Sequence, residues 1–104
     1  MVETTIFWRG EISSAHKLKL PYKSKCKRWH GHNYTVEIWI TGEPNSYGIV
    51  YDYNRIKKIV SKLDHKRLNN YISQPTAENI SRYIVQKLKT QLEAKITKIK
   101  GLSV

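Results

Sequence analysis

The chain has 104 residues, 39% of them apolar and 26% charged, enough for one compact domain (residues 1–104) that buries about two-thirds of its surface, and too few for two. No apolar run approaches the ~18 residues that cross a bilayer, and the first residues lack the basic-then-apolar start of a secretory signal, so neither membrane insertion nor secretion is expected. Nineteen Lys and Arg against eight Asp and Glu give a formal net charge of +11, which favours polyanionic or phosphorylated partners, and the lone Cys26 excludes a disulfide framework and fits a reducing, cytoplasmic setting.

Thr4 to Ile12 is rich in β-branched and aromatic residues and reads as a first strand that runs on to His16. Lys17 to Trp29 is lysine-rich, contains Pro21 and has no sustained period, so it is expected to be a long exposed loop. From Asn33 to Thr41, Val36, Ile38 and Ile40 alternate with Thr35, Glu37, Trp39 and Thr41, the period of a second strand. Gly42 to Ser46 is turn chemistry, and Tyr47 to Tyr51 supplies a short extended run.

Asp52 is placed as the N-cap of a helix over Tyr53 to Leu63, with Ile56, Ile59, Val60 and Leu63 on one face. After the polar stretch Asp64 to Gln74, Pro75-Thr76 opens a second helix from Ala77 to about Leu92, capped by Thr76. The tail, Lys95 to Val104, is β-prone. Strands grouped before helices predict an α+β domain with a mostly antiparallel sheet and helices on one face.

Three of the four histidines fall in one arrangement. On an extended chain His30 and His32 share a face about 6.6 Å apart, and antiparallel pairing of the first two strands brings His16 beside them. Three imidazoles would then face one ion and leave a coordination position open, the mark of a catalytic metal rather than a structural one. An isolated His-x-His is also a common pair of strand histidines with no ligand role; the neighbouring Cys26 and the Asp64-His65 pair favour the metal reading.

Ala15-His16, the Cys26-x-x-x-His30-Gly31-His32-Asn33-Tyr34 run, Gly48 to Tyr53, Asp64-His65-x-x-Leu68-Asn69 and Pro75-Thr76-x-Glu78-Asn79 together resemble the 6-pyruvoyltetrahydropterin synthase family. The three-residue gap between Cys26 and His30 looks like its 6-carboxytetrahydropterin synthase branch. The resemblance implies a tunnelling fold, in which a four-stranded antiparallel sheet with two helices trimerises into a barrel and two trimers stack. It implies Zn2+ on His16, His30 and His32. The implied substrate is 7,8-dihydroneopterin triphosphate; the products are 6-carboxy-5,6,7,8-tetrahydropterin, acetaldehyde and triphosphate, on a route to 7-deazaguanine-modified tRNA bases.

Within that frame Cys26 is the candidate base, since Lys25, Lys27, Arg28 and a nearby metal favour a thiolate. His65, oriented by a carboxylate, would relay the proton, with Asp64 as the orienter if a loop turns the two side chains together. Thr76 and Glu78 would lie beside the pterin, although a helix cap and a first-turn acid are equally good readings of them. The basic loop offers Lys17, Lys19, Lys23, Lys25, Lys27 and Arg28 to a triphosphate. The resemblance also implies a pterin-gripping glutamate after the last strand. Gly101 to Val104 ends at about the position it would follow, and Glu93, on the end of the second helix, is a poor substitute. A basic nucleic-acid-binding domain with structural zinc, stacking bases on Trp8, Trp29 and Trp39, would explain the charge but not an open three-histidine site. Nucleic acid is therefore not an expected partner, and a biopterin-type synthase is the alternative within the enzyme class.

Overall fold

The computed structural model describes residues 3–90 and 96–103. Two long strands, β1 (Thr4–His16) and β2 (His30–Gly42), pair antiparallel along their whole length, from Thr4 opposite Gly42 to His16 opposite His30. Helices α1 (Tyr53–Ser61) and α2 (Ala77–Thr90) follow, and β3 (Ile96–Ser103) returns antiparallel to the other side of β2. The described residues thus form a three-stranded sheet in the order β1-β2-β3.

Alternation decides the two faces of this sheet. Ile12, Val36, Ile38 and Ile40 point inward and form one buried cluster with Ile56, Ile59 and Val60 of α1 and Ile80, Ile84 and Leu88 of α2. Both helices therefore cover the same face, as expected. Trp8 lies on that face across Gly10, where an added Cβ would come within 2.3 Å of the indole. The opposite face presents Phe7, 44% exposed, against Trp39 with ring centroids 5.0 Å apart.

The expected helices are present with small differences at their ends. The Asp52 carboxylate accepts from the Asn54 N–H at 2.8 Å and caps α1. That helix stops at Ser61, before the expected Leu63, although Leu63 is still fully buried. Thr76 caps α2, its hydroxyl accepting from the Asn79 N–H at 3.2 Å. The expected end of this helix at Leu92 lies outside the described residues.

β2 begins at His30, three residues before the expected start, because His30 to Asn33 continue the ladder with β1. The Tyr47–Tyr51 run is not a strand. Asn45 folds it into a turn, its side-chain oxygen accepting from the N–H groups of Tyr47 (2.9 Å) and Ile49 (3.1 Å), with Gly48 at φ 81°. Val50 and Tyr51 then plug the core, and the Tyr51 hydroxyl donates to the Leu88 carbonyl at 3.1 Å, tying this turn to α2. The expected fourth strand is thus absent among the described residues, its apolar residues serving as a core plug. No described helix is long and apolar enough to cross a membrane.

Ile38 is fully buried between the sheet and both helices. Ile38→Ala should cost about 2–5 kcal/mol, read as a lower urea midpoint at unchanged m-value.

Candidate metal centre and its surroundings

Where the inner face leaves the helices, its side chains change from isoleucine to histidine. The register sets His16 opposite His30 and Ser14 opposite His32, with Tyr34 opposite Ile12, so all six share one face. The three rings stand edge to face, their centroids 4.4 Å (His16–His30), 4.8 Å (His30–His32) and 5.4 Å (His16–His32) apart. One nitrogen from each lies within 4.8 Å of the other two, close enough to share an ion. Burial is graded across the group: His16 is buried, His30 half-buried and His32 exposed.

Two carbonyls orient the rings. His16 Nδ1 lies 2.7 Å from the Pro75 oxygen, and His30 Nδ1 lies 2.7 Å from the Arg28 oxygen. A carbonyl only accepts, so each Nδ1 carries the hydrogen and each Nε2 keeps its lone pair for a ligand. Burial pushes His16 below its ordinary value of 6.5, outweighing the raising effect of the Pro75 carbonyl, and His30 and His32 lower it further. A neutral ring is the form a metal needs, so the donor set fits a divalent ion with an open position.

Tyr34 belongs to this group although the sequence reading gave it no role. Its hydroxyl is buried 3.2 Å from both nitrogens of His16, and its phenol is pushed up to about 12 by burial and by the charge of Cys26. The signal was its position, two residues beyond His32 and so on the same face. Cys26 sits half-buried in a 3-10 turn over Lys25–Lys27, capped by Ser24, whose hydroxyl accepts from the Cys26 N–H at 3.1 Å. The Cys26 carbonyl accepts from the Leu18 N–H at 2.7 Å, which pins the turn just past the end of the β1–β2 ladder.

The Asp64-His65 pair is held on the outer edge of β1. One Asp64 oxygen accepts from the Ser13 N–H (2.8 Å), the other lies 3.1 Å from His65 Nδ1, and the His65 N–H donates to the Ser13 carbonyl (2.7 Å). His65 adopts φ 55°, the left-handed conformation that turns two consecutive side chains toward each other. Such strain costs of order 1–3 kcal/mol and persists where surrounding contacts over-determine it. The Ser13 N–H holds the Asp64 carboxyl below its ordinary value of 3.8, with a smaller contribution from His65.

The edge beyond is stitched by side-chain amides that stand in for a strand. The Ala15 N–H donates to the Lys66 carbonyl at 3.0 Å. Asn69 accepts from the Lys17 N–H (3.0 Å) and donates to its carbonyl (2.9 Å), and Gln74 does the same to Lys19 (2.9 and 2.8 Å). Trp29 is fixed nearby, with Lys17 Nζ and Arg67 Cζ each 4.9 Å from its ring.

The candidate residues are therefore only partly gathered. His16, His30 and His32 converge, while Cys26 sits half-buried in its turn just past the end of the ladder. His65, its side chain 82% exposed, instead lines an open groove of about 460 Å3 with His32, Ser14, Asn33 and Arg67. Thr76 adjoins the carbonyl that orients His16, while Glu78 is exposed in the first turn of α2. Of the basic loop, Lys17 is engaged on Trp29, and Lys23, Lys25, Lys27 and Arg28 are exposed.

Metal binding separates these roles. The chain should take up one equivalent of Zn2+ by titration calorimetry, and His16→Ala or His30→Ala should weaken it by more than the roughly 10–100-fold that follows loss of an outer hydrogen-bond partner. Asp64 contributes stability above its unfolded value, lost as pH falls through its lower folded value. Asp64→Asn should accordingly flatten the acid limb of a thermal-stability profile below about pH 4 while leaving Zn2+ binding unchanged.

Comparisons place this geometry among known proteins. Residues 5–104 match the family model described as 6-pyruvoyl tetrahydropterin synthase. A Pyrococcus abyssi protein provisionally named 6-carboxy-5,6,7,8-tetrahydropterin synthase is 46% identical over 65 residues, 62% of this chain and 41% of that protein. The chain thus spans less than half the length of this relative. The dihydroneopterin monophosphate aldolase of Pyrococcus furiosus is 31% identical over 106 residues, covering 98% of this chain and 89% of the relative. Among solved structures, Caenorhabditis elegans 6-pyruvoyl tetrahydropterin synthase aligns at a TM-score of 0.72 and 25% identity, over 100% of this chain and 96% of that one.

Proposed function

Because the chain belongs to the 6-pyruvoyl tetrahydropterin synthase family, we propose that it is a zinc-dependent lyase that converts 7,8-dihydroneopterin triphosphate and one water to 6-carboxy-5,6,7,8-tetrahydropterin, acetaldehyde and triphosphate. The observation that carries this reading is the convergence of three histidines, two with Nδ1 committed to carbonyls, close enough to share one ion. Zinc held by His16, His30 and His32 would polarise an oxygen of the substrate side chain.

The remaining steps fall to the chain's own groups. Cys26 takes the proton from the side-chain carbon, its turn held by Ser24 and Leu18 so that the sulfur keeps its place. His65 returns or relays a proton, and Asp64 keeps the imidazole Nδ1 on a fixed partner, leaving Nε2 to exchange protons. Thr76 and Glu78 take the pterin side of the substrate. The exposed cations of the basic loop balance the triphosphate.

The 460 Å3 groove beside His65 is open, and we assign its closure to neighbouring copies in a homo-oligomer, a trimer or a stacked pair of trimers whose sheets form a barrel. A cytoplasmic location goes with the free thiol.

A second reading is aldol-type cleavage of a phosphorylated dihydroneopterin. It is favoured by the Pyrococcus furiosus relative, which matches over nearly the full length of both chains. Anaerobic incubation of the zinc-loaded protein with 7,8-dihydroneopterin triphosphate, followed by mass analysis, should yield acetaldehyde and carboxytetrahydropterin. Cys26→Ala should lower turnover by about 10²-fold or more while retaining its zinc. Cleavage of the monophosphate alone, without acetaldehyde, would establish the second reading instead.

A further inference from the structure

A second depression, of about 980 Å3, runs along the solvent side of α1 and the segment after it. Its lining includes Arg55, Lys58, Lys62 and Lys66, together with Tyr71, which is 42% exposed, and no carboxylate lines it among the described residues. Lys58 and Lys62 are one helical turn apart, about 6 Å along the axis. Like charges at that spacing repel, and no carboxylate of the lining stands beside Lys58, Lys62 and Lys66.

The shape narrows the choice of counter-charge. The groove is concave, and Ile59, its only aliphatic residue, is 5% exposed, so it offers no apolar side chain to insert into a bilayer. Tyr71 presents a ring at one end, 6.5 Å from the ring of Tyr83. Cations in a row beside an exposed ring are the elements of a single-strand nucleic-acid groove, in which phosphates follow the charges and a base stacks on the ring. We propose that this groove binds single-stranded RNA, with its phosphates along Lys58, Lys62 and Lys66 and a base against Tyr71. Lys66 also borders the groove beside His65, so a bound strand runs toward the histidine site without needing it. The inference is independent of the enzymatic reading.

The test uses the full chain and a fluorescein-labelled 20-residue oligouridylate, followed by anisotropy across a salt series. Replacing Lys58, Lys62 and Lys66 together by Gln should weaken binding at least tenfold and reduce the salt slope by about 2, at roughly 0.7 per lysine for a single strand. Tyr71→Ala should weaken it about fivefold or more at unchanged salt slope. Should the triple variant lose its native circular dichroism, Lys62→Gln alone should remove about a third of the slope change. A control replacing Lys23, Lys25 and Lys27 by Gln should change binding far less. An equal loss in that control would assign the binding to diffuse net charge and overturn the proposal. Displacement of the RNA by inorganic triphosphate at equivalent charge would overturn it too, making the groove a substrate-phosphate site. So would binding to phosphatidylserine vesicles with none to RNA.

Discussion

The register between β1 and β2 is the constraint from which the rest of the site follows. It sets His16 across from His30 and Ser14 across from His32, and because side chains alternate faces, a slip of one residue would send His30, His32 and Tyr34 to the other side of the sheet. What fixes it is the apolar pattern further along the same strands, since Val36, Ile38 and Ile40 must meet the helices. The hydrophobic core and the metal site are thus one decision made along thirteen paired residues. Core substitutions at Ile38 and ligand substitutions at His30 act on the same ladder, the former through its stability and the latter through its chemistry.

Much of this was legible in the sequence because it follows from periodicity. Alternation in Thr35 to Thr41 and the single apolar face of residues 53–63 determine the two strands, the first helix and the face that is covered. The histidine cluster was legible for the same reason, since a spacing of two within a strand has only one geometric outcome. Tyr47 to Tyr51 misled because β-prone residues in a short run carry no information about pairing, and the Asn45 side chain, bonding to its neighbours' N–H groups, captured the run as a turn. The role of Tyr34 was hidden by its apolar body, which reads as core. Pro75 and Arg28 act through backbone carbonyls, which every residue possesses and no residue type announces.

Three separate segments converge on the first two strands by different means. The turn bearing Cys26 is held by one bond from Leu18 and two to Ser24, all local in sequence. The segment bearing Asp64 and His65 is held across about fifty residues of chain, by Ser13, Ala15 and the amides of Asn69 and Gln74. The start of α2 is held by the bond from His16 to Pro75. The histidine that anchors the second helix is therefore also a candidate metal ligand, so unseating it disturbs the fold as well as the site.

The amides of Asn69 and Gln74 have a further consequence. β1 lies at the edge of the sheet, and an exposed edge invites strand addition by other chains, the route to uncontrolled aggregation. From Ser13 to the end of β1, and on to Lys19 beyond it, the outward N–H groups of Ser13, Ala15, Lys17 and Lys19 are already satisfied by residues 64–74. Any strand added to β1 is thereby confined to its first part, Thr4 to Ile12, and kept off the end that carries His16. An edge guarded at one end fixes where along β1 another strand can add.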